Sequence, residues 1–449
     1  MKRTLLIAVS ISAILSNSTP FGFAAASAGK SCSKINDTSI VNGKKYTCIK
    51  SGNKLIWNKG ILVSGELSNN QSKDPITSNK ADFLQTNECK LQRIGESPDL
   101  FIGFPRDKKY IPSLGDRKAI VLFVDFNDLS LNKKAVTEWK NVQVPNAEKA
   151  FSELSYGKYR LKFEIVEKTY RLPSPSNTYL LDGYGNLPNS TIARAMNHQK
   201  IILDTLKVSD SDIDFSQYDF LNIITPDWKE HVESGASGAA GFNVDGKSFF
   251  LSNSGPSEEY LGDATKINWL VHETGHQLGL THIFDYSQGQ LSPFDLMGST
   301  FAMTDLIGWN KFFLSWIDDT QVDCVSNSIS TENIHFITPM GINGSGTKLV
   351  IYKLSPTAAI AIENRRGNKF YSLASNQEGI IVYKIDLTKT GGTGAIQILV
   401  NNSKTILDKR MDRAPLGTLS AGESISTNGL TIKVLKKSVD GDFVSVSKT

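Results

Sequence analysis

The spacing of hydrophobic and polar residues predicts an α/β layer in the middle of the chain. Three segments have the length and apolar content of strands, two of them nearly continuous: residues 119–125, 161–166 and 219–224. Apolar positions recur at helical spacing over 147–154 and over 190–207, with Met196 and Leu203 on the apolar side of the second helix. Because helices alternate with strands, we expect one α/β (α+β) domain over residues 89–325.

From about residue 326 the pattern is that of strands. Four segments are apolar or alternating and have strand length: residues 348–354, 358–364, 379–385 and 430–435. Asp440-Gly441, after residues 430–435, marks a hairpin turn between the last two strands of the chain. We therefore interpret residues 326–449 as a β-rich, sandwich-like domain packed on the preceding one.

The first residues have the pattern of a signal peptide. Lys2 and Arg3 precede the apolar run 5–15, which is too short to span a bilayer, and small residues follow at 26–28. We expect residues 1–28 to be removed on export, with a membrane anchor as the alternative. No later stretch is long and apolar enough to span a membrane, so no integral membrane segment is expected after removal.

A small module and a linker follow the signal peptide. Residues 45–50 and 54–57 flank Ser51-Gly52-Asn53, which predicts a hairpin within a module over 29–62. Residues 63–88 are rich in Ser, Asn and Lys and form a linker or a pro-segment. The module is open to two interpretations, a pro-segment role and association with the cell surface or a partner.

Composition and cysteine content indicate an exported globular protein with disulfide bonds. The chain has 449 residues, 40% of them hydrophobic and 21% charged, which is ordinary for a globular protein. Loss of Lys2 and Arg3 lowers the formal net charge from +4 to +2, too weak to indicate nucleic acid as a partner. An even cysteine count in an exported chain predicts disulfides, and the simplest of three pairings is Cys32–Cys48 with Cys89–Cys324. A latent form with Cys89 on a metal is the alternative for that residue.

The most informative segment is residues 272–282, which match HExxHxxGxxH in full. Three of the six histidines in the chain lie within these eleven positions. His272 and His276 are four residues apart, so one helix face presents both, with Asp263 placed to cap the helix. Gly279 can take the left-handed conformation that ends a helix, and the chain can then return His282 to the same metal. The spacing predicts a zinc site with three imidazole ligands.

Glu273 gives the site its expected chemistry. Three protein ligands leave one position on zinc for water, whose pKa the metal lowers to about 7. Glu273, beside the first ligand, is the expected general base for peptide hydrolysis. The alternatives are a structural zinc, histidines that lie on the surface by chance, and a degenerate protease without activity.

A second signal is Met297, which lies fifteen residues after His282 within Pro293-Phe-Asp-Leu-Met-Gly-Ser299. A methionine in a turn beneath the zinc site is part of the metzincin pattern. We therefore expect Met297 to occupy such a turn in a metzincin-like catalytic domain.

The chain resembles the immune inhibitor A-type metallopeptidases, which are secreted metzincins. Beyond the zinc motif, the similar segments are Phe151-Ser-Glu-Leu-Ser-Tyr-Gly-Lys158, Asp295-Leu-Met-Gly-Ser299, Gly308-Trp309 with Trp316, Ile362-Glu-Asn-Arg365 and Glu378-Gly-Ile-Ile-Val-Tyr-Lys-Ile-Asp386. The resemblance implies a zinc endopeptidase acting on proteins, often with bound calcium and a removable pro-segment. Members often carry Asp where this chain has His282. Asp285 matches an acidic position of the family, for which calcium binding, support of the metal site and plain surface exposure are all open.

Other features receive simpler interpretations. His198, His231 and His335 lie outside the motif and are expected at the surface or in satisfied core positions. The glycine-rich residues 234–241 predict a mobile cleft rim, and residues 242–251 predict an edge strand on which a peptide could pair.

Two classes of function are carried forward. The first is a secreted, extracellular zinc endopeptidase that acts on protein or peptide substrates, with Glu273 as base. The second is a secreted binding or adhesion protein with an inactive protease-like domain. A peptidase restricted to one partner or to wall peptides is a third possibility.

Overall fold

The structure, a computed structural model, describes most residues of the chain. These are 30–35, 37–41, 44–52, 54–58, 61–62, 82–94, 102–179, 190–226, 236–256, 268–283, 294–298, 304–367, 371, 373, 377–389, 393–399 and 417–449. The chain divides into two compact units, residues 1–75 and residues 76–449. The predicted signal peptide lies outside the described residues, and the domain boundaries at 62/63, 88/89 and 325/326 stay predictions.

The first unit contains a small antiparallel sheet stabilised by a disulfide. Its strands are β1 (Thr38–Val41), β2 (Lys44–Ser51), β3 (Lys54–Trp57) and β4 (Ile61–Leu62). β2 is central and pairs with the other three. The predicted hairpin is the β2–β3 pair, in which Cys48 lies opposite Trp57. Cys48 is fully buried and bonded to Cys32, as predicted, and a sheet this small has little other core.

The second unit begins with a five-stranded mixed sheet. Its strands are β5 (Gly115–Asp125), β6 (Tyr159–Arg171), β7 (Phe220–Thr225), β8 (Ala236–Val244) and β9 (Lys247–Pro256). The order across the sheet is β6-β5-β7-β9-β8. Strands β6, β5, β7 and β9 are mutually parallel, and β8 is the antiparallel edge strand.

Helices cover both faces of this sheet. They are α1 (Lys133–Glu138), α2 (Val144–Leu154), α3 (Ser190–Ser209), α4 (Asn268–Gln277) and α5 (Gly308–Phe313). Alternate residues of β5 enter different cores: Val121 and Phe123 pack with α2, α4 and α5, whereas Ile120 and Leu122 pack with α3. The apolar run at 119–125 is continuous because both faces are buried.

Two predictions from the sequence are wrong. Met196 and Leu203 are exposed on α3, because the buried side of that helix carries Ile202 and Leu206 instead. Residues 242–251 do not form one strand. Asp245 and Gly246 have φ values of 50° and 72°, which produce a tight hairpin turn between β8 and β9. The edge strand is therefore β8, which includes the glycine-rich residues from 236 onward; residues 234–235 of the predicted rim lie outside the described residues.

The C-terminal part of this unit contains two further sheets. Their strands are β10 (Val322–Ser326), β11 (Asn333–Ile337), β12 (Leu349–Ser355), β13 (Ala358–Arg365), β14 (Gly379–Asp386), β15 (Ile396–Ile398), β16 (Ser424–Thr427), β17 (Leu430–Lys437) and β18 (Asp442–Lys448). The sheet orders are β10-β12-β13-β14-β15 and β11-β18-β17-β16. Apolar residues of both sheets share one core, among them Val350 and Ile362 from the first sheet and Ile432 and Val444 from the second.

The core beneath α4 and α5 continues into these strands. It includes Leu349, Ala361 and Ile381 alongside Val121 and Val271. The predicted Cys89–Cys324 disulfide is present in the same core and closes most of the unit into one covalent loop. Over the described residues the chain is thus a mixed α/β structure with several sheets, and none of its described helices is long and apolar enough to cross a membrane.

Candidate metal centre

Helix α4 places two of the predicted ligands on one face. Trp269, Leu270 and Val271 are buried in the core and hold the helix against the sheet. The rings of His272 and His276 project together, with their centroids 5.0 Å apart. This is the geometry expected for residues four apart on a helix. The predicted cap, Asp263, lies outside the described residues.

Gly279 ends the helix and reverses the chain. Its φ is +86°, a conformation that L-residues rarely adopt. The Gly279 N–H donates to the His276 carbonyl at 2.9 Å, and the Leu280 N–H donates to the Gly275 carbonyl at 3.0 Å. These two bonds define a Schellman motif, which satisfies the last carbonyls of the helix. A methyl group on Gly279 would lie 3.0 Å from the ring of Tyr110, so the turn is also tightly packed.

The turn returns His282 to the helix. Its ring centroid lies 4.8 Å from that of His276, and its Nε2 lies 3.2 Å from Nε2 of His272. One ligand atom from each of the three histidines lies within 4.8 Å of the others. A tetrahedral zinc ion with ordinary Zn–N bonds places its ligand nitrogens about 3.3 Å apart. The three imidazoles therefore fit a single metal ion.

Hydrogen bonds orient two of these rings. Nδ1 of His272 donates to the Leu296 carbonyl at 2.8 Å, and Nδ1 of His276 donates to the Leu280 carbonyl at 2.8 Å. Each bond places the proton on Nδ1 and leaves the Nε2 lone pair for a metal. Burial, together with the charge of His276, lowers the pKa of His272 to about 3, and burial lowers the pKa of His276. Both rings are therefore neutral near pH 7, as a ligand must be.

Met297 lies in a buried turn directly beneath α4. A methyl group on Gly275 would meet the Met297 sulfur at 2.5 Å, so the absence of a side chain at Gly275 makes room for the thioether. We call residues 294–298 the methionine turn. The Asp295 carboxylate shapes it by accepting hydrogen bonds from the Met297 and Ile307 N–H groups, both at 2.6 Å. Burial raises the pKa of Asp295 to about 7.

Glu273, His198 and His335 are all buried. Glu273 follows His272 on α4 and is 7% exposed. His198 is buried, with Nε2 3.0 Å from the Ser254 hydroxyl. His335 is buried between Asp323 at 2.8 Å and the Tyr352 hydroxyl at 2.9 Å. These last two are satisfied core histidines, as expected. His231 and Asp285 lie outside the described residues.

A buried amide chain connects the sheet to the last turn of α4, and it was not anticipated. Gln277 Nε2 donates to Asn253 Oδ1 at 2.7 Å, and Asn253 Nδ2 donates to Asn222 Oδ1 at 2.9 Å. Asn222 Nδ2 in turn donates to the Ile120 carbonyl at 3.2 Å. The available signal was a single asparagine within the apolar run of β7, where an unpaired amide is costly.

Comparison with known proteins yields distant structural likeness. No family model matches the chain, and no curated protein matches it. Metalloproteinase-II from Bacteroides fragilis matches at 14% identity and a TM-score of 0.27, over 45% of this chain and 53% of that one. The chain thus spans about half the length of that structure.

Two crystal forms of wild-type OgpA from Akkermansia muciniphila also match at 14% identity. Their TM-scores are 0.29 and 0.28, over 74% and 68% of this chain and 91% and 96% of theirs. Likeness at these scores carries no weight for the activity, so the function is inferred from the site itself.

Proposed function

We propose that this chain is a secreted zinc-dependent endopeptidase of the metzincin type. The observation that carries the proposal is the convergence of His272, His276 and His282. Two of these imidazoles have their Nδ1 atoms on backbone carbonyls, and Nε2 of His272 faces Nε2 of His282 at 3.2 Å. Three nitrogen ligands with no cysteine nearby in the motif are typical of a catalytic zinc site, whereas structural sites are usually closed and rich in cysteine.

Zinc fits this donor set. Bound there, it would supply a Lewis acid that lowers the pKa of water to about 7 and polarises a peptide carbonyl. The protein's own contribution is to keep the imidazoles neutral and oriented. Burial does the first, and the carbonyls of Leu296 and Leu280 do the second.

Glu273 is proposed as the general base. Its carboxylate is buried next to the first ligand, where it can take a proton from the attacking water and deliver it to the leaving amine. Proton transfer of this kind contributes about 10²- to 10⁴-fold to the rate.

The edge strand β8 is the proposed binding surface for a substrate backbone. Within the described part of the chain, β8 pairs with β9 on one side and ends the sheet on the other, and it lies against α4, the helix that carries the first two ligands. An extended peptide can add to such an edge through backbone hydrogen bonds. We interpret the mixed sheet, α4 and the methionine turn as a metzincin-like catalytic domain. The two C-terminal sheets are interpreted as a sandwich.

The N-terminal module is proposed to associate with an anionic cell surface. Residues 29–62 contain seven lysines and one aspartate, a net charge of +6, whereas residues 63–449 carry 40 basic and 44 acidic residues, a net charge of −4. Charge concentrated in this way favours polyanionic partners. Two disulfides agree with an oxidising, extracellular location. Calcium remains a prediction from the family resemblance.

Metal analysis together with a proteolysis assay tests the proposal. The purified full chain should contain one zinc per molecule, degrade a generic unfolded protein, and lose this activity with a zinc chelator. A folded protein without zinc would refute the proposal and favour the binding or adhesion alternative. Zinc without cleavage of a generic substrate would instead direct attention to wall peptides or a single partner.

A further inference from the structure

A buried polar cluster lies behind the methionine turn and takes no part in the chemistry proposed above. Its members on the C-terminal strands are Glu363 and Arg365 of β13 and Tyr383 of β14, which we call the support cluster. All three are fully buried. They belong to two segments, Ile362–Arg365 and Glu378–Asp386, which contain none of the proposed metal ligands and not the proposed base.

The support cluster holds the backbone at the start of α5. Arg365 Nη1 donates to the Leu306 carbonyl at 2.9 Å and to Glu363 Oε1 at 3.1 Å. Glu363 Oε2 accepts from the Gly308 N–H and from the Tyr383 hydroxyl, the latter at 2.9 Å. A methyl group on Gly308 would lie 2.7 Å from that same oxygen, so the contact depends on the missing side chain.

The segment held in this way supports the methionine turn. The Asp305 carbonyl accepts from the Leu296 N–H at 3.2 Å, and the Ile307 N–H donates to the Asp295 carboxylate at 2.6 Å. The Leu296 carbonyl then accepts from Nδ1 of His272 at 2.8 Å. A continuous path of hydrogen bonds and short backbone links therefore joins β13 to the first metal ligand.

Stability alone does not explain the buried ion pair between Glu363 and Arg365. Removing two charges from water costs several kcal/mol per ion, and an apolar pair of similar volume is often as stable. Among the described residues, the buried Nε and Nη2 of Arg365 have no hydrogen-bond partner, which adds to that cost. The geometry that the pair imposes on Leu306 and Gly308 is the benefit that remains.

We propose that Glu363 and Arg365, assisted by Tyr383, are positioning residues for the metal site. They fix the methionine turn and the orientation of His272 from strands far away in the sequence. The inference rests on the proposed metal-binding function. It implies that the metal site is incomplete without the C-terminal strands, although these strands contribute no ligand.

Co²⁺ binding by the full chain tests this proposal through the visible absorption of the bound ion, in competition with a chelator. The double variant Glu363→Gln/Arg365→Met removes the two charges together and keeps an acceptor near the Gly308 N–H. We expect Co²⁺ affinity to fall by about 10- to 100-fold, the usual effect of losing support around a ligand, and the absorption band to change shape. Far-UV circular dichroism and unfolding of the metal-free variant report its folding separately.

The matched control is Arg366→Met/Asp442→Asn. This neighbouring ion pair is also nearly buried, but Arg366 holds the Val439 carbonyl at 2.7 Å rather than the segment before α5. Its variant should bind Co²⁺ within about twofold of the wild type. Unchanged affinity in the Glu363/Arg365 variant, or equal losses in both variants, would overturn the proposal.

A smaller change is available if the double variant does not fold. Tyr383→Phe removes one hydroxyl, which also accepts a hydrogen bond from the backbone N–H of Trp309 at 3.1 Å. This variant should bind Co²⁺ about tenfold more weakly. Unaltered binding by this variant would contradict the inference. A wild-type chain that binds no Co²⁺ would refute the proposed function itself, whereas tight binding that no variant alters would refute only the positioning role.

Discussion

Comparing Gly279→Ala with a control glycine variant separates backbone strain from side-chain crowding at the end of α4. Gly279 has a φ of +86°, and a Cβ there would lie 3.0, 3.1 and 3.4 Å from three atoms of the Tyr110 ring. An L-residue in the left-handed region costs about 1–2 kcal/mol. Tyr110 is buried and packed edge-on against Phe250, with ring centroids 5.3 Å apart, so displacing its ring would disturb that contact. Crowding of this kind adds about 1–3 kcal/mol.

The control is Gly429→Ala, in the turn between β16 and β17. Its φ is +77°, and a Cβ there would meet nothing within 4 Å. The loss of unfolded-state entropy is common to both variants, so their difference isolates the crowding. Urea unfolding of the metal-free proteins should therefore show Gly279→Ala to be about 1–3 kcal/mol less stable than Gly429→Ala.

Metal affinity gives the second readout of the same pair of variants. Gly279→Ala should weaken zinc binding, because the turn carries His282 back to His272, whereas Gly429→Ala should leave it unchanged. Equal stabilities and equal zinc affinities for the two variants would show that the turn does not place His282, and the reasoning would be refuted.

Three further predictions concern the disulfide, the buried histidines and the basic module. Cys89→Ala/Cys324→Ala should lower the free energy of unfolding by about 2–5 kcal/mol, because the bridge closes a loop with a sequence separation of 235; an unchanged urea midpoint would contradict this. His272 has a folded pKa of about 3, below its unfolded value of about 6.5, so its contribution to stability is present above pH 6.5 and is lost as the pH falls. Between pH 7 and pH 5 the free energy of unfolding of the metal-free wild type should fall by about 2 kcal/mol relative to that of His272→Gln. Asp295 contributes in the opposite direction, but it is present in both proteins and therefore cancels in this difference. The basic module is tested by the salt concentration that elutes the protein from phosphocellulose. This concentration should fall more when four exposed lysines of the module are replaced with Gln (Lys30, Lys34, Lys50 and Lys54) than when four exposed lysines elsewhere are replaced (Lys133, Lys134, Lys207 and Lys433). Equal shifts would argue against the module as the contact with an anionic surface.

Local features of the site were predictable from the sequence. The i, i+4 spacing placed His272 and His276 on one face, and the glycine three residues after His276 predicted the turn that returns His282. The strands at 119–125 and 219–224 followed from apolar runs, and the two disulfides are the simplest of the three pairings that the sequence left open. In each case the physical cause lies within a few residues, or in a simple rule of pairing.

Features that depend on distant contacts were not predictable. Glu363 meets Gly308 across 55 residues, and Asn222 meets Asn253 across 31. Nothing in their local sequence indicates these partners. The orientation of α3 was misjudged because Met196 and Leu203 are apolar yet face solvent. The hairpin at Asp245-Gly246 did carry a local turn signal, and the run of aromatic and apolar residues around it concealed that signal.

The most direct measurement of the central claim compares the wild type with Glu273→Gln for zinc content and peptide hydrolysis in the same preparation. The proposal predicts one zinc per chain in both proteins, because Glu273 is not a ligand. It also predicts that the variant hydrolyses a peptide about 10²- to 10⁴-fold more slowly, because the general base is gone. Wild-type rates in the Glu273→Gln protein, or a folded wild type that holds no zinc, would contradict it.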